Sequence, residues 1–254
     1  MSRSSSVLTR CCLLLIAALL SASLAAPAAR SAPAPLGTTP ITPSAAQCGK
    51  QTSVATTAAC GAALRDKFLR ARGQSDVVRH TVVTPPGWGW GWWSQAGPTI
   101  CGYADFPAVP GLPVLAVGTH HCDRTTFVVA NRDQYLFADD LRATVVLIHE
   151  SGHGVQERAG ADVVLPTLLG DVATQKPLEQ SADCWAGVGI GYLIAEGDLP
   201  ASARDGALAL MNAVGDGVPG TMHGTGAERQ AAFEAGLRDG VRACNALAGR
   251  RMFA

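Results

Sequence analysis

Residues 141–156 read Leu-Arg-Ala-Thr-Val-Val-Leu-Ile-His-Glu-Ser-Gly-His-Gly-Val-Gln. The apolar run predicts a buried helix, and on a helix His149 and His153, four positions apart, share one face. Two imidazoles so placed can reach one Zn²⁺ at roughly 2.0–2.1 Å. Glu150 lies about 100° around the helix, where it can take a proton from metal-bound water. The stretch therefore predicts two metal ligands and a general base.

Two glycines in this stretch weigh against a regular helix. Gly152 and Gly154 each cost roughly 1 kcal/mol relative to alanine in a helix interior. Alternatively, small residues there would let a second helix or a substrate backbone come close. Gln156 lies seven residues after His149 on the same face. It is expected either to hydrogen-bond a ligand or substrate, or to be an ordinary polar residue at the helix end.

A second segment, Glu179-Gln-Ser-Ala-Asp183, follows 26 positions after His153. A catalytic zinc needs three protein ligands and one open position. Glu179 on another helix would complete a His₂Glu set, and Asp183, one turn further on, could accept the free N–H of a ligating histidine. Such a carboxylate pair is also common on solvated helix faces. Residues 182–194 are largely apolar, however, and a buried carboxylate is costly without a partner, for which a metal is the natural candidate.

Together the two segments resemble the bacterial neutral zinc metallopeptidase family. That family pairs an HExxHxxQ helix with an ExxADCxAG helix, and the matching residues here are 149–156 and 179–187. The similarity continues at His223-Gly-Thr-Gly-Ala-Glu-Arg229 and at Phe233, Gly236 and Cys244, and it covers roughly residues 95–245.

The resemblance implies a zincin-like catalytic domain of the gluzincin type. It implies that His149 and His153 are metal ligands, that Glu150 is the catalytic base and that Glu179 is the third ligand. His223 lies in a Gly-rich loop and is expected to be either an ordinary loop histidine or a donor that stabilises the oxyanion formed during hydrolysis.

The segment His120-His121-Cys122 is another candidate. It could form a second metal site, although paired histidines beside a cysteine are more often structural.

The first residues of the chain predict export. Residues 1–26 carry Arg3 and Arg10, an apolar core at 11–20 and then small residues, which is typical of a secretory signal peptide. The core is short for a spanning helix, although an uncleaved anchor is an alternative. We therefore expect a secreted protein.

The cysteines that remain after signal removal number six, which favours three disulfides in an oxidising compartment. Proximity in sequence favours the pairs Cys48–Cys60 and Cys101–Cys122, which leaves Cys184–Cys244 as the third. Cys184, next to Asp183, could alternatively compete as a zinc ligand.

The mature chain is expected to form one domain of α+β class, with a small sheet and a mainly helical catalytic half. Residues 27–47 are rich in Ala, Pro, Ser and Thr and predict a flexible lead, and residues 48–254 the peptidase domain. The pattern predicts helices around 55–72, 136–157, 177–196, 201–214 and 226–246, and strands around 77–84, 113–118 and 125–130.

Four of the five tryptophans, Trp88, Trp90, Trp92 and Trp93, lie in one Gly-rich stretch. Their rings could contact cell-wall sugars, a membrane interface or a substrate side chain, or they could pack over the domain, which we favour slightly. The 20 basic and 20 acidic side chains balance, and nothing resembles a nucleic-acid-binding patch.

These observations predict an exported zinc-dependent peptidase acting on a peptide or protein substrate. The alternative is a catalytically silent, zinc-containing exported domain that binds cell-wall or protein partners. Glu150 counts against that alternative, because a structural zinc site does not need a general base. A further alternative is an accidental motif pair in a cell-wall-binding protein.

Overall fold

A computed structural model describes residues 37–92, 100–105, 118–218 and 220–254, all within one unit that spans 34–254. Its helices are α1 (Val54–Ala71), α2 (Asp140–Arg158), α3 (Leu165–Leu169), α4 (Val172–Ala195), α5 (Ala203–Ala213), α6 (Gly226–Asp239) and α7 (Val241–Leu247). Its strands are β1 (Thr39–Pro40), β2 (His80–Val83), β3 (Gly87–Trp92), β4 (Ile100–Asp105), β5 (His120–Cys122) and β6 (Thr125–Val128). The predicted α+β class, with a small sheet and helices in the later half, is confirmed.

The main sheet has the strand order β1-β2-β6-β5. Strands β2 and β6 pair in parallel, and β1 and β5 pair antiparallel to them at the two edges. Edge strand β5 packs against α2. The ordered sheet begins at Thr39, inside the segment 27–47 whose composition predicts a flexible lead.

Helix α2 forms where the apolar run predicts it, and every residue from 143 to 156 is buried. Its start differs from the prediction because Gln134–Phe137 form a separate 3-10 turn and the Asp139 side chain caps the new helix by accepting from Arg142 N–H. Likewise α4 begins at Val172 rather than near 177, since Asp171 caps it. The predicted helix at 226–246 is divided at Gly240, which has a φ of 63°.

The two glycines of α2 are sites of close packing. A Cβ on Gly152 would lie 3.1 Å from the Cα of Ala182, and one on Gly154 would lie 2.8 Å from the carbonyl oxygen of Val77. Gly152 therefore lets α4 approach α2 closely, the second of the two roles considered for it. Trp185, fully buried at this crossing, donates from Nε1 to Ser151 Oγ at 3.2 Å.

All three predicted disulfides are present: Cys48–Cys60, Cys101–Cys122 and Cys184–Cys244. Cys184 is thus bonded to Cys244 rather than free to bind a metal. Three disulfides indicate an oxidising environment. In the described parts of the chain, no helix combines the length and apolarity that crossing a bilayer requires.

The tryptophan-rich stretch contains a strand that the sequence did not predict. Strand β3 pairs antiparallel with β4, with Trp90 opposite Gly102. Alternating glycines have low strand propensity, so only the pairing partner reveals the strand. Trp88, Trp90 and Trp92 are described by their backbone, and Trp93 and residues 113–117 of the strand predicted at 113–118 lie outside the described residues. Cell-wall contact or packing by these rings stays a prediction.

Candidate metal centre

Helices α2 and α4 bring His149, His153 and Glu179 together. Each of the three is nearly buried, with 5–6% of its surface exposed, and one ligand atom from each lies within 4.8 Å of the others. Within the described residues this is the one group of three or more His, Cys, Asp or Glu side chains with such an arrangement. The close crossing at Gly152 makes the approach of the two helices possible.

The distances fit a small cation. Glu179 Oε2 lies 3.3 Å from His149 Nε2 and 3.5 Å from His153 Nε2. Two ligands of a tetrahedral zinc with bonds of about 2.0–2.1 Å are roughly 3.3–3.4 Å apart. Lone-pair atoms this close repel one another unless a proton or a cation lies between them. The cluster can therefore hold a metal ion.

His149 is oriented by Asp183. Its Nδ1 lies 2.8 Å from Asp183 Oδ1, within ion-pair distance, and its Nε2 faces Glu179. Asp183 is fully buried and receives two hydrogen bonds from Arg229 at 2.7 and 2.9 Å. Burial would raise the pKa of Asp183, but Arg229 and His149 hold that pKa below its ordinary value.

His153 is oriented by Gln156, which is fully buried. The Gln156 amide donates from Nε2 to the Leu178 carbonyl at 2.7 Å and to Ser181 Oγ at 2.9 Å. Its Oε1 therefore faces His153 Nδ1, at 2.9 Å, and accepts from it. His153 therefore carries a proton on Nδ1 and turns its Nε2 toward Glu179. Gln156 also ties α2 to α4.

Glu179 is oriented by Gln175, a residue that the sequence analysis did not single out. Gln175 Nε2 donates to Glu179 Oε1 at 2.5 Å, so the other carboxylate oxygen is the one that points to the histidines. Burial acts to raise the pKa of Glu179, yet His153 and His149 hold it well below its ordinary value. Gln175 lies four residues before Glu179, a spacing that would have revealed it had the helix been predicted to begin at 172.

Glu150 lies on α2 beside the cluster and is 6% exposed. Its Oε2 atom is buried and has no hydrogen-bond partner among the described residues. Burial raises the pKa of this carboxyl above its ordinary value. A buried carboxylate with a free oxygen next to a metal site is able to accept a proton from a water molecule at that site.

His223 lies at the rim of the cluster, in the loop between α5 and α6. Its Nε2 is 4.0 Å from Glu179 Oε2, and its side chain is 47% exposed. Asp216 makes two contacts with His223. The Asp216 carboxylate accepts a hydrogen bond from the His223 backbone N–H at 3.0 Å and lies 3.3 Å from His223 Nδ1. No sequence signal pointed to Asp216, because the pairing depends on the course of the loop.

The His120-His121-Cys122 segment has protein partners instead of a ligand arrangement. His120 Nδ1 donates to the Gly118 carbonyl at 2.8 Å, and His121 Nε2 lies 3.2 Å from Glu157 Oε2. Cys122 is disulfide-bonded.

Fold and site thus define an α+β protein with a buried His-His-Glu group that could hold a metal ion. Comparison of the chain with protein-family models, with curated proteins and with solved structures finds no match.

Proposed function

We propose that this protein is an exported zinc-dependent peptidase with a zincin-like, gluzincin-type catalytic domain. One observation carries the proposal: the buried ligands His149, His153 and Glu179 lie beside Glu150, whose free carboxylate oxygen has no partner in the described structure. A site that only stabilises the fold needs the ligands but has no use for an unpaired buried base. The resemblance to the bacterial neutral zinc metallopeptidase family supports the same assignment.

Zinc is the metal we propose, because two imidazoles and one carboxylate are a zinc donor set that leaves one coordination position open. When bound in such a site, zinc lowers the pKa of a coordinated water to about 7 and polarises a substrate carbonyl. Both histidines already have their Nε2 atoms turned toward Glu179 Oε2, at 3.3 and 3.5 Å. The ligands are therefore oriented before the metal arrives.

The chain's own residues would move the protons. Glu150 accepts a proton from the attacking water and passes it to the leaving amine of the scissile peptide bond. His223, held by Asp216, donates a hydrogen bond to the oxyanion that develops on the substrate carbonyl. Its exposure at the rim leaves it accessible to a bound peptide.

The proposal is tested by metal content and peptide cleavage together. We expect one zinc per purified chain, a sharp fall in zinc content in Glu179→Ala, and full zinc with almost no cleavage of a fluorogenic peptide library in Glu150→Gln. Glu157→Gln is the matched control, since this carboxylate lies on the same helix but contacts His121 and Asp123. It should keep both zinc and activity.

Three contrary results would each reject a different part of the proposal. Full activity in zinc-loaded Glu150→Gln would remove the base assignment. A zinc-loaded wild type that cleaves nothing would favour the catalytically silent exported domain. A wild type that binds no zinc, even after refolding with the metal, would remove the peptidase mechanism altogether.

A further inference from the structure

Arg229 is a buried guanidinium on α6 that contacts the metal centre through Asp183. Its Nε and Nη2 atoms donate to the two oxygens of Asp183, at 2.9 and 2.7 Å. Arg229 is 7% exposed and Asp183 is not exposed at all. The planar fork of a guanidinium matches a carboxylate in this bidentate geometry and fixes its rotation as well as its position. Asp183 cannot turn away from His149 without losing one of these bonds.

The position of Arg229 is itself fixed from other directions. Its Nη1 donates to the Val214 carbonyl at 3.1 Å, at the end of α5. The first turn of α6 is held by a capping box between Thr225 and Glu228. Further along, α6 lies so close to α4 that a Cβ on Gly236 would be 2.0 Å from the carbonyl oxygen of Cys184, the residue after Asp183. Helix α6 therefore presents the guanidinium to α4 as part of a rigid unit.

We infer that Arg229 is a positioning residue of the metal centre. By holding both oxygens of Asp183 it fixes the oxygen that lies 2.8 Å from His149 Nδ1, and so it keeps His149 Nε2 turned toward Glu179 and the proposed metal. The guanidinium also supplies the positive partner that the fully buried Asp183 carboxylate needs. The inference rests on the proposed metal site and extends it to a residue that touches no ligand.

The competing explanation is that Arg229 only ties α6 to α4 and to Val214. The two roles differ in how mutations combine. A residue that acts through Asp183 changes metal affinity only while Asp183 is present, whereas a purely structural residue has the same effect in either background.

The experiment is a double-mutant cycle read by zinc affinity in competition with a chromophoric chelator. We expect Arg229→Met to weaken zinc binding about 10–100-fold in the wild-type background, the usual effect of removing a group that orients a ligand. In the Asp183→Asn background the same change should weaken binding less than about 2-fold further. Arg229→Lys, which keeps the charge but not the fork, should fall between wild type and Arg229→Met. Arg238→Met is the matched control, because Arg238 is an exposed arginine of the same helix that pairs with Asp239.

A second measurement does not depend on the metal. In nitrogen-15 correlation spectra of the metal-free protein, the ring signals of His149 should keep their wild-type positions in Arg238→Met and should shift or broaden in Arg229→Lys. If Arg229→Met fails to fold, the role of Arg229 is tested by the zinc affinity of Arg229→Lys. The zinc affinities of Asp183→Asn and Asp183→Asn/Arg229→Met are then compared with each other.

The outcomes separate this inference from the proposed function. Wild-type zinc affinity in both Arg229 variants, with affinity lost in Asp183→Asn, would overturn the role of Arg229 and leave the metal site intact. Equal losses in the two backgrounds would also overturn it. A wild type without zinc affinity would overturn the proposed function and this inference together.

Discussion

Replacing Gln156 by methionine tests whether the metal ligands are oriented in advance. Methionine has a similar length and no hydrogen-bonding amide, so the change removes three contacts of a fully buried side chain without leaving a large cavity. Leu178 O keeps a hydrogen bond from Ser181 Oγ at 3.0 Å. The group left without a partner is therefore mainly the Nδ1–H of His153.

The expected magnitude has two parts. An unsatisfied buried donor costs about 1–3 kcal/mol in free energy of unfolding of the metal-free protein. In addition, a neutral His153 without an acceptor at Nδ1 can move its proton to Nε2 and lose its ligand lone pair. Loss of a group that orients a ligand reduces metal affinity about 10–100-fold, which corresponds to about 1.4–2.7 kcal/mol.

The assay measures urea unfolding in chelator and zinc affinity by competition, on the same preparations. Gln74→Met is the matched control, because Gln74 is also a buried glutamine but lies between α1 and β2, and its Oε1 has no hydrogen-bond partner among the described residues. We expect that variant to keep wild-type zinc affinity. Reduced stability of Gln156→Met with unchanged zinc affinity would refute the reasoning, and would show that Gln156 only connects α2 to α4.

Three further predictions follow from other contacts. His223→Ala should lower turnover while zinc content, measured by elemental analysis, stays full; loss of zinc would place His223 among the ligands. Gly152→Val should lower the free energy of unfolding by about 1–3 kcal/mol, because its Cβ would lie 3.1 Å from Ala182 Cα; an unchanged urea midpoint would contradict the close helix crossing. Burial lowers the pKa of His120 from 6.5 to about 4, so the unfolded chain takes up a proton that the folded protein resists. Between about pH 7 and about pH 4.5 this should cost the wild type about 2–3 kcal/mol of stability that His120→Asn does not lose, and identical pH dependence in urea unfolding would disprove it.

The sequence predicted the parts of the site that local periodicity controls. His149 and His153 are four apart on one helix, and Glu179 and Asp183 repeat that spacing on another, so their shared faces follow from helix geometry. The close approach of the two helices was less predictable. A glycine such as Gly152 has low helix propensity, and its small size helps packing only because Ala182 of the other helix lies against it. The local sequence pattern could therefore predict two helix faces that carry ligands, but it could not predict that these faces lie against each other.

Two of the contacts around the centre were hidden in the sequence, for different reasons. Gln175 obeys the same four-residue spacing, but it lies outside the helix predicted at 177–196; the cap at Asp171 extends that helix by about a turn and a half. Arg229 contacts Asp183 across 46 residues of chain, and no spacing rule connects positions so far apart. Contacts of this kind depend on how helices cross, which the pattern within either helix does not determine.

Charge explains why these distant contacts matter to a buried centre. Asp183, Glu179 and Glu150 bring three carboxylates into one nearly inaccessible region, where each ionised group is costly unless it is compensated. The guanidinium of Arg229 compensates Asp183 directly. In the proposed zinc-bound state both histidines would be neutral ligands, and the carboxylates of Glu179 and Glu150 would balance a divalent cation. The arginine thus leaves two buried carboxylates, rather than three, for the metal to compensate.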